Sequence, residues 1–537
     1  MNAYRALTEW GTIDEDTSWG GITGMPDTLY VSGDLTIDEN TTLELNPGTV
    51  IRVAPDHERS GADTNRVQIV VEGTLEAEGT AANPVVFESF TDTTGLADDW
   101  VGIVFKSTST NSVFEHVVVR NAQVGVEAHV PLTIESSRFE DCEIGVEAWD
   151  DVTIRNSTIA DVVDYGVWVR EGAGTLIADT IRASSAYGVA AYPDTSTDST
   201  SISLRDCVIE DNATYGVWSY GANTSSTLRE CDIFESDVAG IALAVNHLAD
   251  VESCLVHDNA TGLLHAVGSN ALNFNYVTFE DNTTGVSTTS SSSLLMEADT
   301  LRDNTVGLYC YAASPSVKSG NYVRGNDEGI KCDQSSNAVV ESTTVWFNDV
   351  GIVALNGSNP DLGHETGGSS VGYNSFVNNT TYHIENKDTT VTISAEDDWW
   401  KYSTGPDTSK VYGHVDYVPW LGTAPSLVPG AGPEPEVVDL GRFPVRYDLS
   451  YNYPNPFNPV TSVRYEVPPP GGPVNVAIYN VQGKLIRTLV DGTRSAGVYR
   501  LQWDGIDRRG NQVASGVYFL RMQAVGFENV KKIVLVK

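Results

Sequence analysis

The sequence predicts an all-β protein: a right-handed parallel β-helix of about 22 residues per coil, followed by a small antiparallel Ig-like β-sandwich. Three observations carry the prediction. A Gly followed by an aliphatic residue recurs at Gly125, Gly145, Gly166, Gly188, Gly216, Gly240, Gly262, Gly285, Gly307, Gly329 and Gly351, with final steps of 22 or 23 residues. Between the copies lie short β-branched runs punctuated by Asn and Gly, with too few residues per period for helices. The last 93 residues then change character, holding 12 of the 32 Lys and Arg but only 6 of the 72 Asp and Glu, so two bodies with different surfaces are implied.

Residues 1–90 read as an N-terminal cap with the first coils, and 91–421 as the main β-helix. The repeated Gly is followed by Val126, Val146, Val167, Val189, Val217, Ile241, Leu263, Val286, Leu308, Ile330 or Ile352. An aliphatic residue in every copy points inward. The next position is mixed (Glu127, Glu147, Trp168, Trp218, Lys331), as expected where successive strand residues face opposite sides. Six residues before the Gly, a second inward column includes Phe139, Val256, Phe279, Leu301, Val323 and Val345. Each coil would add one strand spacing of about 4.8 Å, stacking equivalent residues on one another. Three before the Gly stand Asn259, Asn282, Asn304, Asn326 and Asn348, which suit a turn ladder hydrogen-bonded along the axis and a left-handed backbone. The Gly is expected to permit the bend. The polar insertion YPDTSTDSTS, between Gly188 and Gly216, reads as a loop.

Residues 422–444, Pro/Gly-rich and acidic, read as a linker. Beyond them the alternating runs SVRYEV, VNVAIYNV, GVYRLQW, GVYFLRM and KKIVLV, separated by turns, propose the sandwich over 445–537, with Tyr499, Trp503 and Tyr518 in its core.

Composition excludes several classes. A net charge of −40 repels nucleic acid and anionic membrane surfaces. No run approaches the roughly 18 apolar residues of a membrane span, and MNAYRALTEW lacks the apolar region of a signal peptide, so the start is read as truncated or trimmed. Six Cys without a CxxC pair make neither a disulfide framework nor a zinc site. Cys310 and Cys332 stack inward, Cys207 and Cys231 stack likewise, and all are read as buried free thiols; His265 shares the column of Cys310 as a core residue. His364–Thr366 lacks the second His of a zincin motif.

The segments LTIDENTTLELNPGTVIRVAP, VVEGTLEAEGTAANPVVFES and DDWVGIVFKSTSTNSVFEHVVVRNAQVGVEA resemble the opening coils of bacterial pectate-lyase-like parallel β-helix surface proteins. YNSFVNN, DDWWKYSTGP and VDYVPWL are similar to the closing segment of that group. At the C-terminus, YPNPFNP, IYNVQGKLIRTLV, AGVYRLQWDGIDRRGNQVASGVYFLRM and KKIVLVK resemble the sorting module of type IX secretion, related to the Ig-like module of flagellar hook-capping proteins. That resemblance implies delivery across the outer membrane of a Gram-negative bacterium, to the medium or the cell surface, with the secretion machinery as partner of 445–537. The β-helix resemblance implies a lyase or hydrolase of acidic polysaccharides, yet NTD, RIK, Gly-His-Gly and WIDH motifs are all missing.

Candidate site residues come from stacking the positions two and four after the Gly: Glu127, Glu147, Trp168 and His129, Trp149, Arg170. Carboxylates about 5 Å apart, with Arg170 beside them, could work as acid and base or bind Ca²⁺ through oxygens alone, although no D-x-D-x-D-G loop supports a calcium site. The competing reading is a solvated acidic face. Trp149, Trp168, Tyr192, Trp218 and Tyr220 fall on outward positions, where aromatics stack on sugar rings or else pack on one another and on the 192–201 loop. Tyr165, Tyr187 and Tyr215 form a structural stack. The reading is a secreted or surface-attached β-helix protein that binds carbohydrate. Its alternatives are a divergent polysaccharide lyase or glycoside hydrolase using Glu127 and Glu147, and a purely structural stalk.

Overall fold

The computed structural model describes residues 8–20, 28–54, 66–90, 98–193, 199–245, 248–266, 272–290, 294–363, 369–425, 436–439, 447–449, 461–468, 471–494, 497–503, 505 and 513–536. His364–Thr366 and the YPNPFNP segment lie outside them. Two units are compact, 1–425 and 426–537.

The first unit is a parallel β-solenoid of about 16 coils with ~23 residues per coil. Each full coil contributes three short strands. In one coil these are Leu132–Glu135, Arg138–Glu140 and Ile144–Ala148, which pair in register and in parallel with Val152–Arg155, Thr158–Ala160 and Tyr165–Val169 of the next. Repetition yields three ladders, here termed first, second and third in that order. The aliphatic residue after every repeated Gly is fully buried, as are Phe139, Val256, Phe279, Val323 and Val345. Both inward columns therefore fall where the period places them.

The Asn column forms the expected ladder at the turn between the second and third ladders. Asn259, Asn282, Asn304, Asn326 and Asn348 each donate from Nδ2 to Oδ1 of the next Asn at 2.9–3.1 Å, ending on Asn379. Each Oδ1 also accepts the preceding coil's backbone N–H. The last amide, Asn379, donates to His383 Nδ1 at 3.0 Å. Left-handed backbone, however, belongs to the residue before each Asn: Asp258, Asp281, Asp303, Gly325 and Phe347 have φ between 52° and 69°. The turn residue rotates the chain so that the Asn side chain enters the ladder.

The repeated Gly serves a different purpose from the bend expected of it. A Cβ on Gly285 would lie 2.7 Å from the Gly307 carbonyl oxygen and 3.1 Å from Asn304 Nδ2, and a Cβ on Gly166 would lie 2.5 Å from the Gly188 oxygen. Only hydrogen fits between coils stacked at strand spacing.

A second polar ladder occupies the turn between the first and second ladders, with Ser137, Ser157, Asp179, Asp299, Asn321, Asn374 and Asp398 accepting backbone N–H groups of the preceding coil. Cys207, Cys231 and Cys254 fill the same column, and all six cysteines are buried free thiols. Trp400 closes the far end of the core, stacked at 4.9 Å on Phe376.

Among the described residues, the second unit is an antiparallel sandwich of two four-stranded sheets. One is built from Glu436–Asp439, Gly497–Trp503, Thr461–Val467 and Asp448–Leu449, the other from Leu485–Arg494, Gly472–Asn480, Gly516–Ala524 and Phe527–Leu535. Tyr499, Trp503 and Tyr518 are buried in its core. The first strand lies inside the 422–444 stretch expected as linker: its Val437-Val438 pair is β-prone, and Glu436 and Val437 pair with Arg500 and Tyr499.

Candidate functional site

The third ladder brings together most of the outward residues of coils 125–220. Glu127 pairs in register with Glu147, Glu147 with Trp168, Trp168 with Ala190, and Ala190 with Trp218. Ala190 is small, and the gap above it is filled by Tyr192, whose ring centre lies 4.8 Å from both Trp168 and Trp218. Tyr165, Tyr187 and Tyr215 stack at 5.0 and 5.7 Å, and Tyr165 and Tyr187 lean on Trp168 and Trp218 at 4.5 and 4.8 Å. Val124, Ile144 and Ala190 form the apolar floor beneath.

The outward aromatics pack on one another, the second of the two alternatives. Trp168 is 8% exposed, Tyr192, Trp218 and Trp149 are half-buried, and Tyr220, at 45%, is the open rim. Parallel strands hold the rings one strand spacing apart, so large rings on adjacent coils meet face to face before any ligand arrives.

Charge is laid over the rings. The Arg170 guanidinium sits 3.4 Å above Trp168 and 4.6 Å from the Trp149 ring centre, and it is ion-paired with Glu147. His129 stacks on Trp149 at 5.5 Å, with Nε2 2.5 Å from Glu127 Oε1. Glu147 is buried, so it is not part of a solvated acidic face. Burial raises its pKa, Arg170 opposes the rise and Glu127 adds to it. Each carboxylate thus has its own partner, Glu127 the His129 imidazole and Glu147 the Arg170 guanidinium. The indole Nε1 atoms of Trp149 and Trp168 are buried without an acceptor, as is that of Trp400 in the core. Together these groups offer ring faces, a guanidinium and carboxylates on one continuous surface.

No group of three or more His, Cys, Asp or Glu among the described residues converges as a metal site. His265 is enclosed, its Nδ1 3.2 Å from the Thr288 hydroxyl, and burial lowers its pKa to about 4.

One outward column of the second ladder, five residues before the Gly from His257 onward and six at Phe234, escaped the sequence reading. Phe234, His257, Glu280, Arg302, Arg324 and Trp346 stack there in register. Tabulating that column would have found it, since it is where charged and aromatic residues replace one another from coil to coil.

Models of protein families match four stretches: the right handed beta helix region over 144–301, the pectate-lyase like beta helix domain over 17–129, the periplasmic copper-binding protein (NosD) family over 224–404, and the FlgD Ig-like domain over 458–526. The residues present do not suit copper: within 224–404 the thiols are enclosed, and the Cys332 contact and burial together push the Cys310 thiol far above its ordinary range. No curated protein matches the chain. Solved structures that match include the periplasmic alginate epimerase AlgG (13% identity, 74% of this chain and 79% of that one, TM-score 0.31). The Azotobacter vinelandii mannuronan C-5 epimerase AlgE4 A-module matches at 14% identity over 70% of this chain and 90% of that one, TM-score 0.36. A GH87 alpha-1,3-glucanase from Streptomyces thermodiastaticus matches at 10% identity over 68% and 62%, TM-score 0.30.

Proposed function

We propose that the protein is a secreted or surface-attached carbohydrate-binding β-helix, and that glycan lies along the third ladder between Glu127 and Tyr220. One observation carries the reading: the continuous row Trp149, Arg170, Trp168, Tyr192, Trp218 and Tyr220, in which five rings, running from buried Trp168 to exposed Tyr220, and one guanidinium lie side by side across adjacent coils. Sugars present apolar C–H faces to rings and hydroxyls to charged groups, and this surface supplies both. Trp168 is the packed support, so the contact falls to Trp218 and Tyr220. Substituting both by Ala should abolish retention on a glycan array while leaving the fold intact; retention equal to that of the natural protein overturns the reading.

Catalysis by Glu127 and Glu147 would need a free acid and a free base, whereas each is engaged by His129 or Arg170. Incubation with acidic polysaccharides should therefore release neither unsaturated product nor reducing ends. Residues 445–537, Ig-like in fold and matching the type IX motifs in order, act in this reading as the export address. A chain lacking them that is still delivered to the surface of a type IX-competent bacterium would refute that role.

A further inference from the structure

We infer that the second ladder carries a separate anion-binding site, in which Arg324 receives the carboxylate or sulfate of an acidic polysaccharide and the Trp346–Phe347 pair receives its sugar ring. The charges around it are settled except at Arg324. His257 lies 3.1 Å from Asp232 and 2.6 Å from Asp258, and Arg302 is paired with Glu280. Arg324 has no close ion pair among the described residues: Asp303 and Glu280 act on it from a longer range, and the Trp346 ring lies 5.9 Å from its guanidinium carbon. In a chain with 72 acidic and 32 basic residues, a half-buried guanidinium with no acid in direct contact stands apart. It also sits in register beside Arg302, one strand spacing away, where two like charges repel unless an anion joins them. The planar fork of a guanidinium matches a carboxylate or sulfate in two parallel hydrogen bonds.

Two further features point the same way. The left-handed turn position holds Asp258, Asp281 and Asp303 in successive coils, but Gly325 and then Phe347 in the next two. The acidic row at this position therefore ends at Asp303, whose carboxylate lies against Gly325, and an anion can approach Arg324 from the side of the coils beyond. Phe347 has φ 54°, is 55% exposed, and lies 5.1 Å from Trp346. A bulky aromatic in left-handed backbone is strained, and its exposure gains no burial in return. Asp and Gly take that conformation readily in neighbouring coils, so the fold does not require Phe there.

The test is affinity electrophoresis of the full chain in gels containing polygalacturonate (carboxylate), dextran sulfate (sulfate) or neutral dextran. Retardation is expected in one or both polyanions, the gel that retards identifying the anion. Arg324→Gln should weaken it at least tenfold, Arg324→Lys, which keeps the charge without the fork, by less, and Trp346→Ala also by less. No retardation of the natural protein in either polyanion, or equal retardation of Arg324→Gln, overturns the inference. Loss of acidic-glycan retention in the Trp218/Tyr220 double variant but not in Arg324→Gln also overturns it, while leaving the third-ladder reading in place.

Discussion

Asn304→Ala should open the solenoid locally, and the cost can be worked from the ladder. Asn304 Oδ1 accepts the Asn282 backbone N–H at 3.0 Å and Asn282 Nδ2 at 3.1 Å, and its Nδ2 donates to the carbonyls of Phe279 and Arg302 at 3.0 and 2.9 Å. The Asn282 side-chain amide keeps Val256 and Glu280 as acceptors, and Asn326 Oδ1 keeps the Asn304 backbone N–H. What is stranded is one buried N–H and part of two carbonyls. An orphaned buried donor costs about 1–3 kcal/mol, so a total near 2–4 kcal/mol is expected. Each coil contacts only its neighbours, and the loss should stay local. Hydrogen exchange read by mass spectrometry should show protection of peptides across 278–309 falling by about 30-fold or more, the equivalent of about 2 kcal/mol, with remote coils unchanged. Asn337→Ala, at an exposed turn where Oδ1 accepts only the Asn359 N–H, is the control. Equal, small changes in both variants would refute the ladder as a stabilising device.

Three more outcomes follow from the same structure. Burial raises the Asp179 carboxyl from 3.8 to about 6 despite hydrogen bonds from the Ser157 and Ile177 amides, so the folded state keeps a proton that the unfolded chain releases. Stability contributed here is present below pH ~4, falls by up to about 1.4 kcal/mol per pH unit to pH 6, and is flat above; Asp179→Ser, the residue type already used at Ser137 and Ser157, should remove that slope in urea melts at pH 4.5 and 7, and parallel profiles would contradict it. Burial pushes the Cys142 thiol up to about 12, and all six thiols are enclosed, so a thiol-reactive dye should label none in the native protein and six on unfolding. Arg170→Met strands buried Glu147 and should cost about 3 kcal/mol, more at pH 8 than at pH 5, whereas pairing it with Glu147→Leu should recover most of the loss; a double variant no better than the single one would show that the pair is not coupled.

The inward columns were legible in the sequence because a parallel solenoid forces every coil to place the same side chain at the same depth, so Val286 and Leu308 reveal each other. Residue type at a turn is less informative. Asn282 and Asp281 are both turn formers, and only the backbone shows that Asp281 takes the left-handed conformation while Asn282 supplies the ladder. Gly285 resembles a bend glycine, but its necessity comes from the coil stacked upon it, which local sequence does not display. At the candidate site, register was readable and depth was not: Trp168 faces outward yet is covered by Arg170 and Tyr192, side chains from the same and the next coil. The Arg324 column was passed over because its residues share no type, and a period search rewards sameness.

The Asn ladder also has a direction. Each of the first five amides gives its N–H to the following coil, so six side chains form a single polarised chain in which each bond strengthens the next. Such a chain must end on a pure acceptor, and here it ends on His383 Nδ1, whose imidazole is buried and held neutral, its pKa lowered to about 4. The solenoid thus has unlike ends: one that could pass the series on, and one where a neutral ring stops it. Were that ring to take up a proton, its acceptor would become a donor facing a donor, and the series would fray from the terminus inward.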